Sequence, residues 1–280
     1  MRVIFAVMPA SLVSMLPTRI AIFPLVRSSP GGNLVHRAVV LNGGSSQGGH
    51  AVGRHADIVE PLPELLGHHA RRLGDKVCFE DRFRRVTYRE LERRTARLAG
   101  HLAGLGVVRG DRVAVLLGNR VEAVESLLAI TRASGVGVPL DPGNSEEELT
   151  RLLDDSGARM LITDDACLMR RRTLPLRPGL TVVVAEGGAE DEAGDSASYA
   201  DRVDEADGDG GAAGAGAGGV LRFEELAGTE PRTPARDDLA LDEVAWLLYT
   251  SGSSGAPKGV LSSQRNRLSP VATGLAIPER

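Results

Sequence analysis

Metal-binding patterns of cysteine and histidine are missing from this sequence. Cys78 and Cys167 are the only cysteines, and they lie too far apart for the CxxC spacing of zinc and redox sites. The six histidines form neither HExxH nor another metal-ligand pattern. We therefore expect two reduced, structural thiols, as in a cytoplasmic protein, and no transition-metal site built by the protein.

A membrane-spanning segment and a dense basic surface are also missing. The uncharged stretch near the N-terminus, residues 3–18, is shorter than the about 20 apolar residues that a spanning helix needs, and it contains Pro9 and Pro17. Lysine and arginine number 33 against 37 acidic residues, which gives a net charge of -4. Nucleic-acid binding requires a concentrated basic face. We expect neither a membrane anchor nor a nucleic-acid partner.

Two segments lack the patterning of folded structure. Residues 1–59 precede the first regular periodicity, and prolines interrupt their apolar runs. Residues 186–219 are rich in acidic residues and glycine and contain almost no large apolar side chains. Such a composition cannot bury enough surface to offset the entropy of the chain. We therefore predict a disordered extension over 1–59 and a disordered surface insertion over 186–219.

Between these segments, short β-branched runs alternate with helical periodicity. The runs predicted as buried strands are 112–117, 136–140, 160–163, 181–185 and 244–250, and the predicted helices include 122–134 and 145–156. Alternation of this kind is typical of layered sheets with flanking helices. The predicted fold class is therefore α/β.

Capping signals define the helix ends. Thr87 with Glu90 and Ser145 with Glu148 have the spacing of a capping box, in which the hydroxyl accepts an amide and the carboxylate bonds back to the cap residue. Gly106 has the position of a C-terminal glycine cap for the first of these helices. The predicted buried face of that helix contains Leu91, Thr95, Leu98, Leu102 and Leu105, and its polar face contains Arg93, Arg94 and Arg97.

The strand 244–250 runs into the segment YTSGSSGAPKGV at Tyr249–Val260. Glycines allow successive amides to turn toward one anion, hydroxyls add hydrogen-bond donors, and a lysine adds a full positive charge. A loop of this composition suits a polyphosphate. The candidate binding residues are Thr250, Ser251, Gly252, Ser253, Ser254, Gly255 and Lys258.

Three other interpretations of this loop are weaker. A serine and glycine linker does not usually lie between two apolar strands or end in Pro-Lys-Gly. A Walker A loop requires a glycine directly before its lysine, and Pro257 occupies that position. The Rossmann pattern GxGxxG requires a third glycine that is absent at the right offset after Gly252 and Gly255.

The loop resembles the signature YTSGSTGxPKGV of the adenylate-forming superfamily, the AMP-dependent synthetases and ligases. This family includes acyl-CoA synthetases and the adenylation domains of nonribosomal peptide synthetases. Ser254 replaces the usual threonine and keeps a hydroxyl. The segments TYRELERRTARLAGHLAGLGVVRGDRVAVLL, GVGVPLDP and DSGARMLITD also resemble the family, so the likeness covers about residues 61–267. The VPLDP segment resembles the peptide-synthetase and polyketide-loading branches more than ordinary fatty acyl-CoA ligases.

The resemblance implies that the complete enzyme joins a small carboxylic or amino acid to the α-phosphate of ATP with Mg²⁺. It then passes the acyl group to the thiol of CoA or of phosphopantetheine on a carrier protein. Residues 60–185 and 220–280 would form an incomplete N-terminal part of the large domain. The loop would hold the β- and γ-phosphates, and no catalytic residue would lie within the chain.

Two departures from the family bear on activity. Gln264 occupies the position where the family usually has a histidine, which removes an aromatic, titratable side chain from the expected acyl-pocket side. The sequence ends at Arg280, before the family segments that bind adenine and ribose and before the C-terminal lysine. We expect a chain that is inactive alone or that depends on a complementing chain. The alternatives are a non-catalytic nucleotide-binding module and a truncated product without function.

Overall fold

The computed structural model describes residues 59–170, 179–186, 220–250 and 257–269. Its helices are α1 (Leu62–Leu73), α2 (Tyr88–Gly104), α3 (Val121–Arg132), α4 (Glu146–Ser156), α5 (Asp165–Arg170) and α6 (Phe223–Gly228). Its strands are β1 (Val77–Glu80), β2 (Arg85–Thr87), β3 (Arg112–Leu116), β4 (Val136–Pro139), β5 (Met160–Asp164), β6 (Thr181–Ala185), β7 (Val220–Arg222), β8 (Val244–Thr250) and β9 (Lys258–Ser263). Residues 264–269 are also helical. The predicted extension and insertion lie outside the described residues, apart from Val59 and Glu186.

Seven strands form one sheet in the order β7-β6-β5-β3-β4-β8-β9. Neighbouring strands are parallel throughout, except that β8 and β9 are antiparallel. β1 and β2 form a separate antiparallel hairpin. The predicted α/β class is confirmed.

Helices cover both faces of the sheet because its central strands are apolar on both sides. Val113 and Val115 of β3 belong to the core that includes α1, α2, α3 and α6, while Ala114 and Leu116 pack with α4. Successive side chains of a strand point to opposite faces, so one strand contributes to both cores. Parallel sheets are usually buried in this way.

Helix α2 begins with the predicted capping box. The Thr87 hydroxyl accepts a hydrogen bond from the Glu90 amide at 3.3 Å, and the Glu90 carboxylate accepts one from the Thr87 amide at 2.8 Å. These bonds satisfy two amides that the helix itself leaves unpaired. The helix start predicted from the sequence is therefore confirmed.

The C-terminal end of α2 corrects one residue of the predicted buried face. Leu91, Thr95, Leu98 and Leu102 are buried, whereas Leu105 is 40% exposed. Leu105 is the C-cap residue, and Gly106 after it has a φ of 93°. The chain turns away from the helix axis at this glycine, so the Leu105 side chain leaves the buried face.

Helix α3, predicted over 122–134, is buried along its whole length, since all 12 of its residues are buried. The Glu125 side chain has 0% exposure and accepts a hydrogen bond of 2.7 Å from Nε of Arg94. It also pairs with Arg84. Burial raises the pKa of Glu125, although both guanidiniums oppose the rise. Arg94, predicted on the polar face of α2, is only 13% exposed because it joins α2 to α3 through this carboxylate.

Residues 229–243 connect α6, beside the β7 edge of the sheet, to β8 near the opposite edge. The Arg132 guanidinium donates two hydrogen bonds of 2.8 Å to the Asp237 carboxylate, and its side chain is 6% exposed. Arg236 donates to the backbone carbonyls of Val107 and Ala133. These bonds fasten the connection to residues at the ends of α2 and α3. Strand β8 can therefore reach its place beside β4.

We expect Glu90→Gln to lower the free energy of unfolding at neutral pH more than in acid. Hydrogen bonds from Thr87 lower the pKa of Glu90. The folded state therefore binds fewer protons than the unfolded state at acidic pH, and stability falls as the pH falls. The Glu90 carboxylate makes its full contribution to the free energy of unfolding above about pH 4.3, the pKa of a glutamate in the unfolded chain. This contribution is lost as the pH falls through the lower pKa that Glu90 has in the folded state.

Urea unfolding of the parent and the variant measures this effect. We expect a difference of about 0.5–1 kcal/mol at neutral pH, the range for a carboxylate at a helix N-terminus, and a smaller one near pH 3. Glu64→Gln, in the first turn of α1, is the matched control, because Glu64 shares the helix dipole but caps no amide, and its effect should be smaller than that of Glu90→Gln. If the free energies of unfolding of the parent and Glu90→Gln differ by the same amount at both pH values, the role given to the Glu90 carboxylate is wrong.

Candidate phosphate-binding hairpin

Strands β8 and β9 form an antiparallel hairpin whose last registered pair is Thr250 with Lys258. Both residues are exposed, and the Thr250 hydroxyl donates a hydrogen bond of 3.4 Å to the Lys258 carbonyl. The five other candidate residues, Ser251, Gly252, Ser253, Ser254 and Gly255, lie outside the described residues. The structure therefore defines the two ends between which the predicted loop lies.

The hairpin lies at the carboxyl edge of the parallel strands. β8 is parallel to β4, so its C-terminal residue Thr250 emerges on the edge where β4 ends at Pro139. In open α/β sheets, ligands bind outside the carboxyl ends of the strands. The position of the hairpin is therefore the one expected for a binding site.

The neighbouring turn after β4 is ordered by its own side chains. The Asp141 carboxylate accepts a hydrogen bond of 2.7 Å from the Gly143 amide. The Ser145 hydroxyl accepts one of 3.2 Å from the Glu148 amide, which caps α4. This is one half of the predicted second capping box, and the return bond from Glu148 is not among the contacts of the described residues.

The charge of Lys258 is available to a ligand. Its side chain is exposed, and no carboxylate among the described residues forms an ion pair with it. Arg265, seven positions further along the chain, differs in this respect because it forms an ion pair with Asp242 at 2.6 Å. An exposed ammonium beside glycine and hydroxyl residues favours an anion.

Tyr249 is a residue of the hairpin that the sequence did not single out. Its hydroxyl donates a hydrogen bond of 2.5 Å to the Asp155 carboxylate of α4. Burial, together with the hydrogen bond and charge of Asp155, raises the pKa of Tyr249, so its hydroxyl stays protonated. The aromatic residue was visible at the start of the motif, but Asp155, 94 positions earlier in the chain, gave no signal.

Gln264, directly after β9, is buried and hydrogen-bonded through both ends of its amide group. Its side chain has 0% exposure. Its carbonyl accepts a hydrogen bond of 2.7 Å from the Leu62 amide, and its amide donates one of 2.9 Å to the Leu239 carbonyl. Gln264 therefore links the start of α1, the connection before β8 and the end of β9.

Cys78 and Cys167 are buried and do not form a disulfide bond with each other. Burial raises the pKa of the Cys78 thiol to about 12, so it is neutral at physiological pH. This agrees with the structural role predicted for it. Among the described residues, no helix has the length and apolar character needed to cross a membrane.

The chain belongs to the AMP-binding enzyme family, because the family model matches residues 66–279. The predicted resemblance to adenylate-forming enzymes is confirmed by this match. The matched range includes all nine strands of the described residues.

Named relatives differ greatly in length from this chain. Naringenin synthase of Pestalotiopsis fici is 39% identical over 74% of this chain and 7% of its own length. Phosphinothricin tripeptide synthetase PhsB of Streptomyces viridochromogenes is 34% identical over 72% of this chain and 14% of its own length. Acetyl-coenzyme A synthetase of Nostoc linckia is 31% identical over 73% of this chain and 59% of its own length. The chain thus spans between 7% and 59% of these relatives.

The fold is similar to that of a solved anthranilate CoA ligase, AuaEII, in complex with anthranoyl-AMP. The TM-score is 0.58 at 21% identity, over 76% of this chain and 37% of the ligase. This likeness concerns the fold alone. It agrees with the layered sheet and the flanking helices described above.

We expect Gln264→Leu to destabilise the fold, because it leaves the Leu62 amide and the Leu239 carbonyl without their buried partner. An unsatisfied buried polar group costs about 1–3 kcal/mol. Asn266→Ala, an exposed position two residues further along, is the control and should change stability by less than about 0.5 kcal/mol. Urea unfolding measures both variants. Equal stability of the two would show that the Gln264 bonds contribute nothing.

Proposed function

We propose that this chain binds the phosphates of ATP with the β8–β9 hairpin. This is its part in activating a small carboxylic or amino acid as an adenylate. The supporting observation is the pairing of Thr250 with Lys258 at the carboxyl edge of the sheet. This pairing places two strand ends at either side of the glycine and hydroxyl residues 251–255. Membership of the AMP-binding enzyme family supports the choice of ATP as the anion.

The proposed chemistry is electrostatic. The Lys258 ammonium and the backbone amides of the loop would lie against the β- and γ-phosphates, with hydroxyl donors from Ser251, Ser253 and Ser254. Donors fixed in place before reaction stabilise the charge that develops on the departing pyrophosphate without reorganising. Of these candidate residues, the structure describes Thr250 and Lys258.

Mg²⁺ is the cofactor that we assign to the complete site. The described residues contain no group of three or more His, Cys, Asp or Glu side chains that could hold a metal ion. In nucleotide sites, phosphates and waters supply most Mg²⁺ ligands, with one or two protein oxygens. The Thr250 hydroxyl suits this because it donates its hydrogen to the Lys258 carbonyl and keeps its lone pairs for a cation. Bound Mg²⁺ neutralises phosphate charge.

The acyl acceptor that we propose is the thiol of CoA or of a phosphopantetheine arm on a carrier protein. One reported relative is a peptide synthetase and another an acetyl-coenzyme A synthetase, and they are 34% and 31% identical to this chain. The VPLDP segment at 138–142 favours the peptide-synthetase branch. Adenylate formation and thiol transfer are proposed for a protein of the relatives' length.

We expect Lys258→Ala to weaken the binding of Mg·ATP and of inorganic tripolyphosphate at least about tenfold, since it removes a full charge from the anion. Lys76→Ala removes the same charge from the exposed connection between α1 and β1 and should bind as the parent does. Isothermal titration calorimetry at low and at moderate salt measures both, and the affinity should fall as salt screens the charge.

Failure of the parent to bind either ligand, or equal affinity of Lys258→Ala and the parent, would refute the proposed site. ATP–pyrophosphate exchange with a panel of carboxylic and amino acids separates binding from activation. We expect binding without exchange by the 280 residues, because they span 59% or less of each reported relative. Robust exchange would instead show that these residues contain the whole adenylation site.

A further inference from the structure

The end of the β8–β9 hairpin that leads into the loop extends beyond the residues of β8 that pair with β4. The registered pair between β4 and β8 is Gly137 with Trp246, and β8 continues to Thr250. At a rise of about 3.3 Å per residue, the end of β8 lies about 13 Å beyond that pair. The side chains of Val260 and Leu261 in the edge strand β9 are 47% and 62% exposed, whereas Leu248 of β8, the partner of Val260, is 6% exposed.

Tyr249 links this extended part to the body of the protein. It lies three residues beyond the registered pair and next to Thr250, at the entry to the loop. Its hydroxyl donates the 2.5 Å hydrogen bond to Asp155 near the C-terminal end of α4. A hydrogen bond to a charged acceptor is stronger than one between neutral groups. The bond therefore fastens the hairpin to a helix packed on the sheet.

Gly259 fits the ring of Tyr249 at the exit from the loop. The two residues are cross-strand partners, next to the pair of Thr250 with Lys258. A Cβ added to Gly259 would lie 2.9 Å from Cδ1 of Leu247 and 3.4 Å from Cε1 of Tyr249. A side chain there would have to displace the Leu247 side chain and would lie in van der Waals contact with the ring. The glycine after Lys258 therefore leaves room for Leu247 beside the ring of Tyr249.

We infer that Tyr249 is a positioning residue for the proposed phosphate site, acting together with Asp155 and Gly259. The hydrogen bond and the ring contact hold the hairpin at the place where Lys258 faces the anion. This inference rests on the proposed function, because it concerns the affinity of the same site. Tyr249 itself need not contact the ligand.

Substitutions of Asp155 distinguish a positioning role of Tyr249 from a simple effect of charge on ligand affinity. A negative charge near an anion site weakens binding, so its removal by Asp155→Ala would tighten binding if charge alone mattered. Positioning predicts the opposite, because the variant releases the Tyr249 hydroxyl. Asp155→Asn keeps an acceptor oxygen and should recover most of the parental affinity.

The experiment measures the affinity of the 280-residue chain for Mg·ATP and tripolyphosphate by calorimetry. We expect Tyr249→Phe and Asp155→Ala each to bind about five- to tenfold more weakly, the factor that one lost hydrogen bond supplies. The double variant should bind no more weakly than either single one, since both remove the same link. Tyr88→Phe removes a hydroxyl from the 2% exposed Tyr88 of α2 and is the matched control, with parental affinity.

Hydrogen exchange of the backbone amides tests the same link without a ligand. In Tyr249→Phe, amides of residues 258–260 should exchange about tenfold faster than in the parent, while those of β3 and β5 stay unchanged. If Tyr249→Phe has the affinity and the amide exchange of the parent, the positioning inference is wrong. If Lys258→Ala abolishes binding in the same experiment, the proposed function still holds. No binding by the parent would overturn both. Tighter binding by Asp155→Ala would also overturn the positioning role.

Discussion

The parallel direction of β4 and β8 is the constraint on which the candidate site depends. Because β8 runs parallel to β4 and then reverses into β9, the hairpin end has to emerge at the carboxyl edge of the sheet. An antiparallel β8 would place the same motif at the opposite edge. The chemistry of the motif therefore has a definite location only because the strand direction is fixed.

Strand direction depends in turn on a long connection held by buried charge. β8 follows β7 in the described part of the sequence but lies on the other side of the sheet. The ion pair of Arg132 with Asp237 holds the connection against α3. The buried carboxylate of Glu125 joins α3 to α2 through Arg94. Removing one partner of a buried pair such as Arg94 with Glu125 typically costs about 3–5 kcal/mol. The pair of Arg132 with Asp237 contributes less, because the Asp237 side chain is 37% exposed and solvent screens its charge.

Local signals in the sequence predicted local structure well. The Thr87 capping box, the glycine at 106 and the buried strands lie where the pattern placed them, because their causes involve neighbouring residues. The family motif identified the hairpin for the same reason. Contacts between distant residues were missed: the Tyr249 bond to Asp155, the buried position of Arg94 and the two bonds of Gln264. Each depends on how elements pack, which residue spacing alone does not encode.

The most direct measurement of the central claim is the mapping of amide chemical shifts while Mg·ATP is added to the isotope-labelled chain. We expect the largest changes to fall on residues 250–259, tripolyphosphate to reproduce them, and adenosine without phosphates to leave these shifts unchanged. Changes confined to other parts of the sheet, or equal changes with adenosine, would contradict the assignment of this hairpin to the phosphates.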